Sequence, residues 1–160
     1  MAGKTPAETA GELVQMVLPG DANQLGFILG GTVMHLIDIV GATAAHRHTR
    51  SQLFTASVEG IEFLHPVRVG DIIIVKSRVT CVFNTSLEVQ VEVFGEETLT
   101  GRRDLVTRAY VTFVTVDEEG KRRTVPPLQV ETEEDRRLQV EAQARRAARE
   151  ATSYRLPPTS

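Results

Sequence analysis

Residues 32–46 form an apolar, proline-free stretch that reads TVMHLIDIVGATAAH. Its length and composition predict an α-helix. At 100° per residue, Leu36 and Ile37 lie on one side of this helix, whereas Met34 and Ala42 lie on the other. A helix that is apolar on every side is buried on every side, so in a soluble domain of this size something must wrap around it.

Strand-like patterns stand on both sides of this helix in the sequence. Residues 12–18 precede it and end at Pro19-Gly20. Four further runs with alternating apolar positions follow it, at residues 54–63, 73–81, 87–93 and 105–116. A phase slip at Gly60 predicts a bulge or a sharp bend. Short connections among the last four runs favour antiparallel neighbours, so we expect an α+β fold in which one curved antiparallel sheet of about five strands wraps the long helix.

The composition changes after Pro126-Pro127, which divides the chain into three parts. We expect an N-terminal tail at residues 1–11, one folded domain at 12–127, and a charged C-terminal helix and tail at 128–160. Residues 131–150 are rich in charge and alanine, which predicts a solvated helix. Its basic end carries Arg145, Arg146 and Arg149, which are either a solvated face or a contact for a phosphate.

Composition and charge exclude several classes of protein. The chain has 160 residues, 41% hydrophobic residues and a formal net charge of −3, so it lacks the basic surplus of a nucleic-acid binder. Cys81 is the only cysteine, and its apolar neighbours suggest a buried thiol in a reducing compartment. No stretch approaches the roughly 18 apolar residues that span a bilayer, so we expect a cytoplasmic protein that binds neither a membrane nor nucleic acid.

Asp38 is the unexpected charge in the predicted helix. It lies about two turns from the helix start, too far to act as a cap. A carboxylate beside Met34, Gly41 and Ala42 is costly to bury unless it is paired or lines a cavity. Asp38 is therefore either a catalytic carboxylate or a structural one paired with an arginine or a backbone amide, and its position alone leaves both interpretations open.

Two polar features flank the start of the same helix. Asn23 lies in a segment that is typical of a turn. Gly30 and Gly31 directly precede the helix, where free backbone N–H groups can hold an anion or a developing oxyanion. His65 precedes Pro66 and is either a strand-end residue or a candidate base. No serine-nucleophile elbow and no metal-ligand set are present in the sequence, so we expect no metal.

The motifs in their order resemble a known family. The run LPGDANQLG at residues 18–26, followed by Gly30-Gly31 and Asp38, is similar to the signature of the acyl-CoA hydrolase branch of the hotdog-fold thioesterases. Further matches are FLHPV at residues 63–67, VGD at 69–71, TSLEV at 85–89 and FVTVDEEG at 113–120. Together the matches span nearly all of the 12–127 domain.

This resemblance implies the hotdog fold and hydrolysis of the thioester in fatty acyl-CoA. It implies homodimers, often assembled as hexamers by trimerisation of dimers, with active sites at the dimer interface. Asn23 and Asp38 match the catalytic pair of the family, and Thr85 and Ser86 match a segment near coenzyme A. We also expect His65, Arg102 and Arg103 among the groups that bind coenzyme A.

The expected reaction needs a base and a polarised carbonyl. Asp38 would activate water, or attack the thioester directly, while amides near Gly30 and Gly31 would stabilise the oxyanion. Coenzyme A enters as part of the substrate, and no cofactor is expected. Two alternatives remain open: a hotdog dehydratase that uses His35, and a non-catalytic module that binds acyl-CoA.

Overall fold

The computed structural model describes residues 2–152. They form one sheet with helices on both of its faces. The elements in chain order are α1 (Pro6–Thr9), β1 (Gly11–Met16), α2 (Gly30–Thr49), β2 (Gln52–Glu59), β3 (Ile72–Val82), β4 (Ser86–Glu96), β5 (Arg103–Val116) and α3 (Glu133–Thr152). The expected α+β hotdog architecture, with a long central helix and a five-stranded antiparallel sheet, is confirmed. The short helix α1 lies inside the segment that was expected to be an N-terminal tail.

The strand order is β1-β3-β4-β5-β2, and one expected neighbour pair is wrong. Strand β2 pairs with β5, from Gln52 opposite Val116 to Glu59 opposite Tyr110, and not with β3. Residues 60–71 carry the chain away from the β2 edge after Gly60, which adopts a φ of 80°. A local alternation pattern says which residues form a strand but not which strand lies beside it. The register of β2 against β5 shifts between Thr55 and Ser57, so the irregularity in this strand lies there rather than at Gly60.

Helix α2 lies on the inner face of the sheet and extends beyond the predicted 32–46 at both ends. Its buried side chains Val33, Ile37 and Val40 pack into a core built from the inward rows of β3, β4 and β5. Gly41 marks the closest approach, because a Cβ atom there would lie 3.2 Å from Val91 and 3.4 Å from Phe113. Gly41 therefore packs against the sheet of its own chain and leaves no room there for a ligand.

The expectation that α2 is buried all round is wrong for a single chain. Met34 keeps 50% of its surface exposed and Ile39 keeps 44%. Asp38 and Ala42 lie on the same side of the helix and are half-buried. We call these four residues the open face of α2. The sheet covers the opposite side only, so the open face leaves apolar side chains exposed in a single chain.

Helix α3 packs on the outer face of the sheet, so the expectation of a fully solvated helix is wrong for one of its sides. Leu138 and Ala142 are buried, and Asp135 accepts a hydrogen bond from Arg78 of β3 at 2.6 Å. Farther along, Arg145 donates to both carboxylate oxygens of Glu88 at 2.8 and 3.0 Å. The helix therefore docks through a short apolar stripe, Leu138 and Ala142, flanked by paired charges.

Candidate active site

Asp38 forms a hydrogen bond with Thr55 at the centre of the open face of α2. The Thr55 hydroxyl donates to Asp38 Oδ1 at 2.6 Å, a short distance typical of a hydroxyl bound to a carboxylate. No arginine or lysine of residues 2–152 forms an ion pair with Asp38. Within this part of the chain Asp38 therefore has no arginine partner, and its second oxygen accepts no hydrogen bond there.

A β-bulge in β2 sets the direction of Thr55. The register slips between Thr55 and Ser57, so Ala56 is the extra residue. As a result Thr55 points to the inner face towards α2, whereas Ser57 lies on the outer face opposite Thr112. Sequence reasoning missed Thr55, because a threonine in a strand is ordinary. The phase slip in the alternation of this strand was the only sequence signal of a bulge, and it predicted the bulge at Gly60 rather than at Ala56.

Asn23 lies in the loop that leads into α2, where its side-chain oxygen organises a tight turn. Asn23 Oδ1 accepts from the backbone N–H of Leu25 at 3.0 Å and of Phe27 at 3.1 Å. Because both partners are donors, the amide NH₂ group points away from the turn. Asn23 is exposed, and its NH₂ group has no partner within residues 2–152. No hydrogen bond joins Asn23 to Asp38 in this part of the chain.

Gly30 and Gly31 form the first turn of α2. Leu29 precedes them and supplies no side-chain cap, so the N–H groups of this turn keep their capacity to donate. A helix rises 1.5 Å per residue, which places Gly31 about 10 Å from Asp38 along the axis. The helix-start amides and the Asp38 carboxylate of one chain are therefore too far apart to act on the same carbonyl group.

An apolar cavity of about 330 Å³ opens beside the start of α2. Its lining includes Phe27, Val33 and Phe63, together with Gly30 and His65. Phe63 is half-exposed, and its ring lies 3.3 Å from the position that a Cβ on Gly30 would take. The cavity has the size and polarity to accept a short acyl chain.

The expected coenzyme A ligands do not come together in one place. His65 and Arg102 line one cleft of about 210 Å³. Thr85 and Ser86 line another cleft, of about 440 Å³, on the outer face of the sheet. Arg102 forms an ion pair with Asp104, and Arg103 forms one with Glu96. Arg103 borders neither cleft.

Two buried titratable groups lie away from Asp38. Burial raises the pKa of the Cys81 thiol to about 11, which agrees with the expectation of a buried thiol. Burial lowers the pKa of His48 below its ordinary value, while His48 Nε2 contacts the carbonyl oxygen of Pro126 at 2.9 Å. Within residues 2–152, no cluster of three or more His, Cys, Asp or Glu side chains is placed to hold a metal ion. No helix in this range is long and apolar enough to cross a membrane.

The amino-acid sequence is similar to those of known thioester hydrolases. The model of the thioesterase superfamily matches residues 25–101. The chain is 39% identical to the uncharacterized acyl-CoA thioester hydrolase YkhA of Bacillus subtilis over 119 residues, 74% of this chain and 69% of that protein. It is 36% identical to the acyl-CoA thioester hydrolase YciA of Escherichia coli over 121 residues, 72% of this chain and 92% of that protein. The cytosolic acyl coenzyme A thioester hydrolase of Mus musculus is 33% identical over 88% of this chain, which spans only 38% of that longer protein.

Solved structures are similar over nearly the whole chain. A hexameric acyl-CoA thioesterase without ligand has a TM-score of 0.88 at 39% identity, with 93% of this chain and 96% of that chain covered. The acyl-CoA hydrolase of Staphylococcus aureus in complex with butyryl coenzyme A and coenzyme A has a TM-score of 0.85 at 31% identity, with 92% and 90% covered.

Three alanine variants of the Staphylococcus aureus enzyme have also been solved. The replaced residues are an asparagine, an aspartate fifteen positions after it and a threonine seventeen positions after the aspartate. Asn23, Asp38 and Thr55 follow each other at the same two intervals in this chain.

Proposed function

The chain belongs to the acyl-CoA thioester hydrolases of the thioesterase superfamily, and on that basis we propose that it hydrolyses fatty acyl-CoA to a free fatty acid and coenzyme A. The observation that carries the proposal is the hydrogen bond between Asp38 and Thr55 on the open face of α2. It holds one carboxylate, with one free oxygen, on a surface that is otherwise apolar. This placement suits activation of a water molecule in a site from which bulk water is excluded.

In the proposed reaction, Asp38 accepts a proton from water as the water oxygen attacks the thioester carbonyl carbon. The carbonyl oxygen becomes an oxyanion, which needs N–H donors about 3 Å away. Collapse breaks the carbon–sulfur bond, and the thiolate leaving group takes up the proton as free coenzyme A. Thr55 fixes the carboxylate by donating to one oxygen, so that the other oxygen faces the water. The reaction as proposed uses no metal and no cofactor.

Two protomers share each proposed site. The amides of Gly30 and Gly31 and the free NH₂ group of Asn23 lie at one end of α2, about two turns from Asp38. If the open faces of two α2 helices pack antiparallel, the helix start of one chain meets Asp38 of the other. Asn23 and the two glycines of one subunit would then polarise the carbonyl that Asp38 of the partner attacks through water.

The assembly proposed for this chain is a homodimer built on the open face of α2, joined further into a hexamer. Relatives with the same fold have been solved as hexamers. Covering Met34 and Ile39 removes two half-exposed apolar side chains from water, at roughly 25 cal/mol per Å² buried. The buried, unreactive Cys81 fits the cytoplasmic location that the name of the mammalian relative gives for that protein.

The acyl chain has a proposed place in the apolar cavity beside Gly30. This cavity adjoins the helix-start amides, so a carbonyl held there would leave its alkyl group against Phe27 and Phe63. The cavity holds about 330 Å³, which favours short or medium acyl groups unless the partner enlarges it.

A thiol-release assay with acyl-CoA esters of different lengths tests the function. Hydrolysis liberates the coenzyme A thiol, whereas dehydration and simple binding do not. The Asp38→Asn variant keeps the volume but removes the base, so kcat should fall about 100-fold or more. Release of no thiol by the wild-type protein would contradict the hydrolase proposal, and near-normal turnover by Asp38→Asn would contradict the role of Asp38.

A further inference from the structure

A cleft on the outer face of the sheet lies between the C-terminal half of α3 and strand β2. Its volume is about 440 Å³. Three arginines line it, Arg122, Arg146 and Arg149, with the single carboxylate Glu150. The whole chain has a net charge of −3, so this cleft concentrates positive charge on a molecule that is otherwise slightly acidic.

The three basic residues at the end of α3 have different roles in the structure. Arg145 turns to the buried carboxylate of Glu88, and its guanidinium stacks 3.5 Å from the centre of the Tyr110 ring. Arg145 is therefore paired within the protein, and it does not line the cleft. Arg146 and Arg149 instead border the cleft, where Arg122 joins them from the segment after β5.

The cleft arginines are held in place while keeping donors free. Arg146 donates to Ser86 Oγ at 3.1 Å and to Glu150 at 3.0 Å, and it packs over the Phe83 ring. Arg149 donates to Glu59 at 2.5 Å. A guanidinium has five N–H donors in a planar fork, so each of these residues retains several for a ligand.

Two cleft groups have no partner within residues 2–152. The Arg122 side chain is exposed and forms no hydrogen bond or ion pair there. The Ser57 hydroxyl is buried and lacks any hydrogen-bond partner in the same range. A buried hydroxyl without a partner is destabilising, and an acceptor oxygen in the cleft would satisfy it.

We propose that this cleft binds a phosphate monoester. Its oxygens would accept from Arg122, Arg146 and Arg149 and from the Ser57 hydroxyl, the planar multidentate geometry that arginines offer to phosphate. If the proposed thioesterase function holds, the phosphate is the 3′-phosphate of the coenzyme A moiety. Coenzyme A is thus the first possible source of the phosphate, and a phosphate compound that is free in solution is the second.

The position of the cleft links it to the proposed reaction centre. Ser57 on the outer face and Thr55 on the inner face belong to the same strand, on either side of the Ala56 bulge. A group bound in the cleft therefore lies on the opposite face of β2 from the Asp38–Thr55 pair.

The cleft that contains His65 and Arg102 is a poorer phosphate site. Arg102 is already paired with Asp104, and Asp71, Glu96 and Glu97 also line that cleft. Acidic side chains there outnumber the arginines, which repels an anion. The charges thus assign the phosphate to the α3 cleft rather than to Arg102 and Arg103.

Steady-state kinetics with two thioesters test the first source. An acyl-CoA is compared with the same acyl thioester of dephospho-coenzyme A, which lacks only the 3′-phosphate. For the wild-type protein we expect a KM about 10-fold lower for the acyl-CoA. The Arg122→Gln/Arg149→Gln double variant should raise the KM for acyl-CoA about 10-fold and leave the dephospho substrate within 2-fold, with kcat unchanged.

Titration calorimetry with inorganic phosphate and with adenosine 3′-monophosphate tests the second source. Binding to the wild-type protein that the double variant loses, together with equal KM values for both thioesters, would assign the cleft to a free phosphate compound. Arg136→Gln is the matched control, since Arg136 is an exposed arginine at the other end of α3 that pairs with Glu133. This control should change neither measurement.

The proposal is overturned if the double variant alters neither the KM ratio of the two thioesters nor the binding of both phosphate probes. Failure of the proposed function looks different, because the wild-type protein would then hydrolyse neither thioester. The calorimetric comparison would still decide whether the cleft binds phosphate.

Discussion

Asp38 and Thr55 show how far a single residue can be interpreted from sequence. Asp38 was identifiable because a carboxylate in an apolar helix carries a desolvation cost that demands a reason. Thr55 was not, since its role depends on a bulge that turns it towards α2. The resemblance implied Asn23 and Asp38, and the structure adds the Thr55 hydroxyl as a hydrogen-bond donor to Asp38.

Removing the Thr55 hydroxyl tests its contribution. Thr55→Val keeps the shape of the side chain and removes the donor to Asp38 Oδ1. A hydrogen bond to a charged group contributes about 1.5–3 kcal/mol, so we expect kcat to fall roughly 10- to 100-fold. Thr55→Ser restores the donor and should recover most of the activity in a thiol-release assay. Equal losses for the two variants would show that the hydroxyl is not what matters.

His48 gives a pH dependence that is independent of catalysis. Burial lowers its pKa in the folded state, so the unfolded chain takes up a proton near the ordinary value of 6.5 before the folded chain does. The stability due to neutral His48 is present above pH 6.5 and is lost as the pH falls below it. His48→Gln should cost about 1 kcal/mol at pH 7.5 through the contact with Pro126 but should flatten the fall in Tm between pH 7.5 and 5.5. The same slope in both proteins would contradict this assignment.

At the scale of elements, helices and strands were predictable because their periods are local. The alternation at residues 87–93 and the apolar run at 32–46 both correspond to real elements, β4 and α2. The placement of β2 beside β5 was not predictable, since nothing within β2 encodes its neighbour. Helix α3 was missed as a packed element because its buried apolar stripe is only Leu138 and Ala142 and its other contacts are charge pairs, whereas a charged helix usually indicates a solvated one.

The pairing of Arg145 with Glu88 should hold α3 to the sheet. Glu88 is almost fully buried, so Arg145→Met leaves a carboxylate without its partner and should lower the free energy of unfolding by about 3–5 kcal/mol. The Glu88→Gln/Arg145→Met double variant should recover part of this loss. Arg136→Met, at an exposed pair with Glu133, should cost at most about 1 kcal/mol. Urea unfolding that gives equal values for Arg145→Met and Arg136→Met would show that α3 docks by other contacts.

The whole molecule is proposed to work only as an assembly, since Asn23 and Asp38 have no hydrogen bond between them within one chain. Asn23→Ala and Asp38→Ala homodimers should each be nearly inactive. In a mixed dimer, one site receives both intact residues and the other receives neither. Random pairing makes about half of the dimers mixed, so co-expression should restore roughly a quarter of wild-type activity.

Differently tagged chains, purified through both tags, give assemblies that contain both variants for the thiol-release assay. Each mixed dimer in them should have about half of wild-type activity, because one of its two sites is complete. Mixed dimers no more active than the two homodimers would place both residues in one subunit's site, or remove Asn23 from the reaction.

The pairing of β2 with β5 also has a consequence for the order in which a nascent chain can fold. Thr55 leaves the ribosome well before Val111 and Val116, the distant residues against which its strand must align. At roughly 5–20 residues per second, this delay lasts about 3–12 seconds. During that time α2 presents its apolar sides without a complete sheet to cover them. A chain that stalls before residue 116 is therefore expected to be a client for chaperones, and the strand that carries Thr55 is placed only when synthesis of the sheet is complete.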